Sequence, residues 1–198
     1  MRHAAVRRSA QTLGFTTNYL AMPTLYTVSY PEVAPEDLSF IERLRQLHDL
    51  PYRDVVAAHF TMVFSCKTIE LAEYTKHIEA VARQSEPIRF SCRYAMLGAD
   101  DFDDTAYVFL APDEGYSGIS LLHDRLYTGL LQPFLKLDVP FVPHITIGTL
   151  KDRSAAKALC DELNRTGVHI EGTLRALTIG ALEEGRLKNL SSHALGEA

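Results

Sequence analysis

Two short segments of the chain carry a pattern that could do acid/base chemistry. They are His59-Phe60-Thr61-Met62 and His144-Ile145-Thr146-Ile147, 85 positions apart (59 to 144). In an extended strand the side chains alternate faces, so each histidine shares a face with the threonine two residues on. Each segment would then present an imidazole and a hydroxyl to a polar side and anchor its apolar residues in the core. With 8 His and 15 Thr in 198 residues, chance gives about 0.6 H-x-T triplets; this chain has two. Near neutral pH one imidazole can accept a proton from a nucleophile while the other donates to a departing oxygen. Threonine hydroxyls and nearby backbone N–H groups can donate to phosphate oxygens as charge builds there. Neither histidine has an acidic or histidine partner at i+2 or i+4, so the pattern points to chemistry without a metal.

The elements that must position these residues can be read coarsely. A first strand is expected over Leu25–Tyr30, then a helix opened by Pro35 with Leu38, Ile41, Leu44 and Leu47 as its stripe. Val55–Phe64 reads as a strand rich in Val, Phe and Thr. A helix with Leu71, Tyr74, Ile78 and Val81 on one face follows. Ile88–Leu97 alternates as a half-buried strand, with Phe90, Cys92, Tyr94 and Met96 inward. The turn-rich Gly98–Asp104 leads to a strand over Tyr107–Ala111. The second half repeats the order: a helix over Ser117–Leu131, a strand over Phe141–Thr149, and a helix over Asp152–Arg165 with Gly167 as its C-terminal stop. One or two strands over Val168–Leu182 follow, and the C-terminal residues add a last short one. Each H-x-T strand is thus followed by an amphipathic helix and a strand, which points to a duplication of two lobes facing each other across a cleft.

"AHFTMVF" and "FVPHITIGTL" resemble the paired H-x-T motifs of the two-histidine phosphoesterase superfamily. That group includes the 2′-5′ RNA ligase-like proteins and the 2′,3′-cyclic nucleotide phosphodiesterases. The resemblance runs roughly from Thr24 to Leu182; outside the motifs it is one of element order, and Ala58 stands where many relatives have proline. It implies an α+β, bilobal duplicated fold, with two antiparallel-rich sheets facing a central cleft and helices outside. It also implies His59 and His144 as the acid/base pair and Thr61 and Thr146 as phosphate ligands. Arg89, Arg93 and Lys151 are candidate substrate contacts. Many RNA-ligase-like relatives place a basic residue very soon after the second motif, whereas here Gly148, Thr149 and Leu150 precede Lys151. That favours a small cyclic phosphate over a long RNA.

The remaining features set bounds. A net charge of -5 and a pI near 5.9 argue against gripping long nucleic acid by bulk electrostatics, but allow a nucleotide or an RNA end. Residues 1–23, with Arg2, His3, Arg7 and Arg8 ahead of the first acid Glu32, read as a tail, a leader or early start rather than a targeting signal. Residues 24–198 read as one domain. The three cysteines, Cys66, Cys92 and Cys160, show no C-x-x-C spacing and fit a reducing compartment, so a cytoplasmic monomer with no cofactor and no membrane partner is expected. His48, His77, His123 and His169 carry no motif and read as solvated or structural. Tyr30, Tyr94 and Tyr107 could stack a base, with core packing the plainer reading for each. A non-catalytic nucleotide-binding module would use the same cleft.

Overall fold

The computed structural model describes residues 23–99, 105–138 and 140–196. The expected tail, up to residue 22, and most of the Gly98–Asp104 turn lie outside the described residues. The strands are β1 (Leu25–Ser29), β2 (Glu32–Val33), β3 (Phe60–Cys66), β4 (Ile88–Cys92), β5 (Tyr94–Ala99), β6 (Ala106–Ala111), β7 (Ile145–Leu150), β8 (Ile170–Leu174), β9 (Ala176–Glu183) and β10 (Arg186–Ala194). The helices are α1 (Pro35–His48), α2 (Leu71–Arg83), α3 (Tyr116–Leu126) and α4 (Arg153–Thr166), with a 3₁₀ segment at Gly129–Phe134.

The strands form three hydrogen-bonded antiparallel sheets rather than the expected two, in the orders β10-β9-β1-β3, β5-β6-β7 and β2-β8-β4. The third sheet arises from an exchange. The chain leaves β3 and α2 through β4, breaks at Arg93, and enters the sheet of β7 as β5. Likewise it leaves β7 and α4 through β8, breaks at Arg175, and enters the sheet of β3 as β9. Where these crossing strands pass, β4 and β8 pair with each other along Ile88↔Leu174 to Cys92↔Ile170. The break at Arg93 also resets the expected alternation: Phe90 and Cys92 are buried, but beyond the break Ala95 turns inward and Tyr94 is exposed.

Local chemistry explains the helix ends. Pro35 opens α1, with Glu36 and Asp37 in its first turn and Arg45 and His48 in its last, matching the helix dipole. The Asp152 side chain caps α4 by accepting from the Ser154 N–H (2.8 Å) and the Ala155 N–H (3.2 Å). Gly115 precedes α3 at φ +84, and a Cβ there would lie 2.3 Å from the Arg89 carbonyl oxygen, so only glycine fits. The inward face of α1 differs from the expected stripe. Leu38 and Leu47 are exposed, while Ile41 and the charged Arg45 are buried. One buried cluster runs through both halves, from Leu25 and Phe60 to Ile145 and Ile179, with the Phe60 and Phe90 rings in edge contact at 5.1 Å.

Candidate active site

Both histidines sit one residue before their strand: β3 starts at Phe60 and β7 at Ile145. The expected strands therefore begin later than the sequence suggests, because Pro51–Ala58 forms turns and Phe141–Pro143 is irregular. This irregular backbone serves the imidazoles. His59 donates from Nδ1 to the Ala57 carbonyl at 2.8 Å, and His144 donates from Nδ1 to the Val142 carbonyl at 2.6 Å. A carbonyl can only accept, so in each neutral ring the proton is on Nδ1 and Nε2 holds the free lone pair. His59 Nε2 lies 3.1 Å from Thr61 Oγ1, so the triplet's two polar groups do meet on one face.

A second shared feature follows each threonine. In β3 the pairing with β1 passes from Thr61↔Val28 to Val63↔Thr27, leaving Met62 unpaired. In β7 the pairing with β6 passes from Thr146↔Phe109 to Gly148↔Val108, leaving Ile147 unpaired. The apolar residue after each threonine is thus the extra residue of a bulge, which bends the strand and re-aims the side chains beside it.

The helices hold these strands crosswise. Thr149, five residues after His144, donates through Oγ1 to the Asp49 carboxylate at 2.8 Å, and Asp49 is the residue that ends α1. Phe64, five residues after His59, donates its N–H to the Tyr127 hydroxyl at 2.9 Å, and Tyr127 ends α3. Each half therefore fixes the other half's motif. The α1 side adds a buried network. Arg45 contacts Asp49 at 3.2 Å, Glu42 at 3.1 Å and the Val56 carbonyl at 2.6 Å, while Glu42 accepts from the Ala58 N–H at 2.8 Å. Residues Val56–Ala58, which deliver His59, thus hang on a guanidinium only 2% exposed. On the other side His123 stacks on Phe141 at 3.7 Å and steadies the approach to His144.

Both imidazoles are half-buried by surface yet deeply surrounded by protein. Desolvation lowers the pKa of each. For His59 it falls to about 4, with the charges of Arg45 and His144 also opposing protonation. His144 is lowered by burial too, partly offset by its bond to Val142. Its ring stacks on Phe109 at 3.8 Å, and Phe109 lies over Gly98, where a Cβ would come 2.2 Å from the ring. Burial thus favours the neutral form of both imidazoles.

Of the other expected contacts, Arg93 is engaged in exposed ion pairs. The strand break turns it toward Asp113 (2.7 Å) and Glu114 (3.1 Å), which bind its guanidinium. Arg89 lines a separate cavity of about 430 Å³ with Ser91, Glu114, Glu171 and Thr173. Lys151 is exposed in the turn after β7. Tyr94 lies at the surface, and Tyr107 stacks beside Phe109 at 5.8 Å. His123 is a buried packing residue, and His77 bonds the Leu126 carbonyl at 2.8 Å. Among the described residues no group of three His, Cys, Asp or Glu could hold a metal ion. No described helix is long and apolar enough to cross a membrane.

The sequence model of the 2′-5′ RNA ligase superfamily matches residues 31–186, which include both motifs. The chain belongs to this superfamily. This membership agrees with the resemblance expected from the two motifs. One crystal structure of a phosphoesterase superposes with a TM-score of 0.56 at 19% identity, covering 89% of this chain and 99% of that one. LigT of E. coli in apo form gives 0.54 at 18%, covering 88% and 98%, and TT0787 of Thermus thermophilus gives 0.55 at 16%, covering 87% and 98%. At these identities the likeness is one of fold. No curated protein matches the chain in sequence.

Proposed function

We propose that the chain is a metal-independent phosphodiesterase that opens a 2′,3′-cyclic phosphate, or a related nucleotide phosphodiester, between His59 and His144. Membership of the superfamily supports phosphodiester chemistry in general. The observation that carries the finer reading is the matched pair of imidazoles, each with Nδ1 on a carbonyl, which leaves Nε2 as the basic nitrogen, and each followed by a threonine and a bulge. E. coli LigT has been crystallised with 3′-AMP and with phosphate, which fits a nucleotide-phosphate ligand.

One imidazole Nε2 removes a proton from water as its oxygen attacks phosphorus. The other, protonated at Nε2, gives its proton to the ribose oxygen as the P–O bond breaks. Thr61 and Thr146 donate to the phosphoryl oxygens. If a ribose hydroxyl attacks in place of water, the same groups join two nucleotides; the superfamily's description as 2′-5′ RNA ligases favours testing that direction too.

The test is turnover of 2′,3′-cyclic mononucleotides, ADP-ribose cyclic phosphate and 2′-5′-linked oligonucleotides, with and without EDTA. Turnover that survives the chelator and shows a bell-shaped pH profile is expected. Should the chain bind a nucleoside 2′-phosphate yet turn over no member of the panel, the site is a binding module.

A further inference from the structure

A cavity of about 560 Å³ opens beside the segment that delivers His59. Its walls include Tyr30, Arg53, Val55–Ala57, Arg186 and Asn189. One rim is therefore Ala57, whose carbonyl holds His59. The other belongs to the start of β10, joined to the first rim by the Leu187 N–H to the Val55 carbonyl at 2.8 Å. Asn189 opposes Gly180, Gly180 opposes Tyr26, and Val28, on the face of Tyr26, opposes Thr61. Asn189 thus lies on the same sheet face as Thr61, and its Oδ1 accepts from the Tyr30 hydroxyl at 2.8 Å. This volume suits a nucleotide-sized group.

The charges decide what that group carries. Of the two carboxylates at the cavity, Glu42 is bound to Arg45 and the Ala58 N–H, and Asp54 to Arg53 at 3.4 Å. The Arg186 guanidinium is exposed and has no ion-pair partner among the described residues. An arginine without an ion-pair partner at the rim of a nucleotide-sized cavity is suited to bind a phosphate.

We propose that this cavity is a second anion subsite, which takes a phosphate of the substrate other than the one under attack. The inference rests on the proposed phosphodiesterase reading and narrows its substrate class to cyclic phosphates that bear a further phosphate. Arg186 supplies the contact. Two sources share this chemistry: a 5′-phosphate on a mononucleotide, or the neighbouring phosphodiester of an oligonucleotide end.

The test compares kcat/KM for a 2′,3′-cyclic mononucleotide with a 5′-hydroxyl, the same with a 5′-phosphate, and a dinucleotide ending in the cyclic phosphate. One charge-assisted contact at an exposed site predicts about a tenfold preference for the extra phosphate, expressed in KM rather than kcat and shrinking with added salt. In Arg186→Ala the ratio should collapse towards one. Which of the two longer substrates gains tells a terminal phosphate from a diester. Equal kcat/KM for all three, or a preference that Arg186→Ala leaves intact, overturns the subsite and leaves the phosphodiesterase reading standing. If no substrate turns over, that reading fails, and calorimetry decides the subsite. A nucleoside 2′,5′-bisphosphate should then bind about tenfold tighter than the 2′-phosphate, and equal affinity overturns the proposal.

Discussion

Filling the site with an anion should draw a proton onto the protein. His59 sits at about 4 instead of the usual 6.5 and His144 is also lowered, so at pH 7 burial favours the neutral form of both imidazoles. Inorganic sulfate is a clean probe, because it stays a dianion across this range. A unit negative charge about 4 Å from an imidazolium is worth roughly 4 kcal/mol at an effective dielectric near 20. That is about 3 pKa units, which by itself carries His59 to about 7, and a dianion goes further. Once one ring is protonated, its charge opposes the second, so uptake of about one proton per sulfate is expected. The assay is calorimetric titration at pH 7 in buffers of different ionisation enthalpy, in which the dependence of the heat on buffer counts protons. His59→Ala and His144→Ala should each reduce the uptake. A heat independent of buffer, an uptake unchanged in both variants, or no saturable binding would refute two neutral histidines facing one anion.

Four further outcomes are expected. His59→Ala and His144→Ala should each slow single-turnover opening of a 2′,3′-cyclic phosphate by ~10²–10⁴ while a nucleoside 2′-phosphate binds within about tenfold of wild type; Thr61→Ala and Thr146→Ala should weaken both. Without ligand, stability should fall with acidification. The folded pKa of His59 lies below its unfolded value, so the protein is most stable above about 6.5 and loses stability as pH drops towards about 4, read as a falling Tm that added sulfate restores. Arg45→Met leaves Asp49 and Glu42 without their cation and should cost roughly 3–5 kcal/mol in chemical denaturation. Gly98→Val drives a side chain into the Phe109 ring and should cost about 1–3 kcal/mol, with weaker sulfate binding because His144 loses its stacking partner.

The H-x-T triplets were legible in the sequence because a two-residue period and residue type are local properties. The amphipathic α2 and α4 were legible for the same reason: Tyr74, Ile78, Ala156 and Leu163 mark their buried faces. What escaped depends on partners far along the chain. The i, i+4 pair Arg45 and Asp49 looks like a solvated ion pair, and only Thr149, a hundred residues away, reveals it as buried. Met62 and Ile147 look like ordinary core residues until β1 and β6 set the register that makes them bulges. The break at Arg93 was hidden by an alternation that runs unbroken through the sequence, and with it the third sheet. Phe109 could be connected to His144 only once its pairing with Thr146 was known.

The crossed pinning of the two motif strands has a consequence for how the protein is made. β1, which lies beside the first histidine's strand, is also paired with β9, from Leu25↔Ala181 to Val28↔Thr178. A chain emerging from the ribosome carries Thr61 long before Tyr127 and β9 appear, so the sheet that presents His59 cannot close until nearly the whole polypeptide is out. Pairings this distant in sequence make for slow, all-or-none folding. A nascent chain halted before residue 176 would hold both histidines and the whole β5-β6-β7 sheet beside His144, but not the closed sheet beside His59.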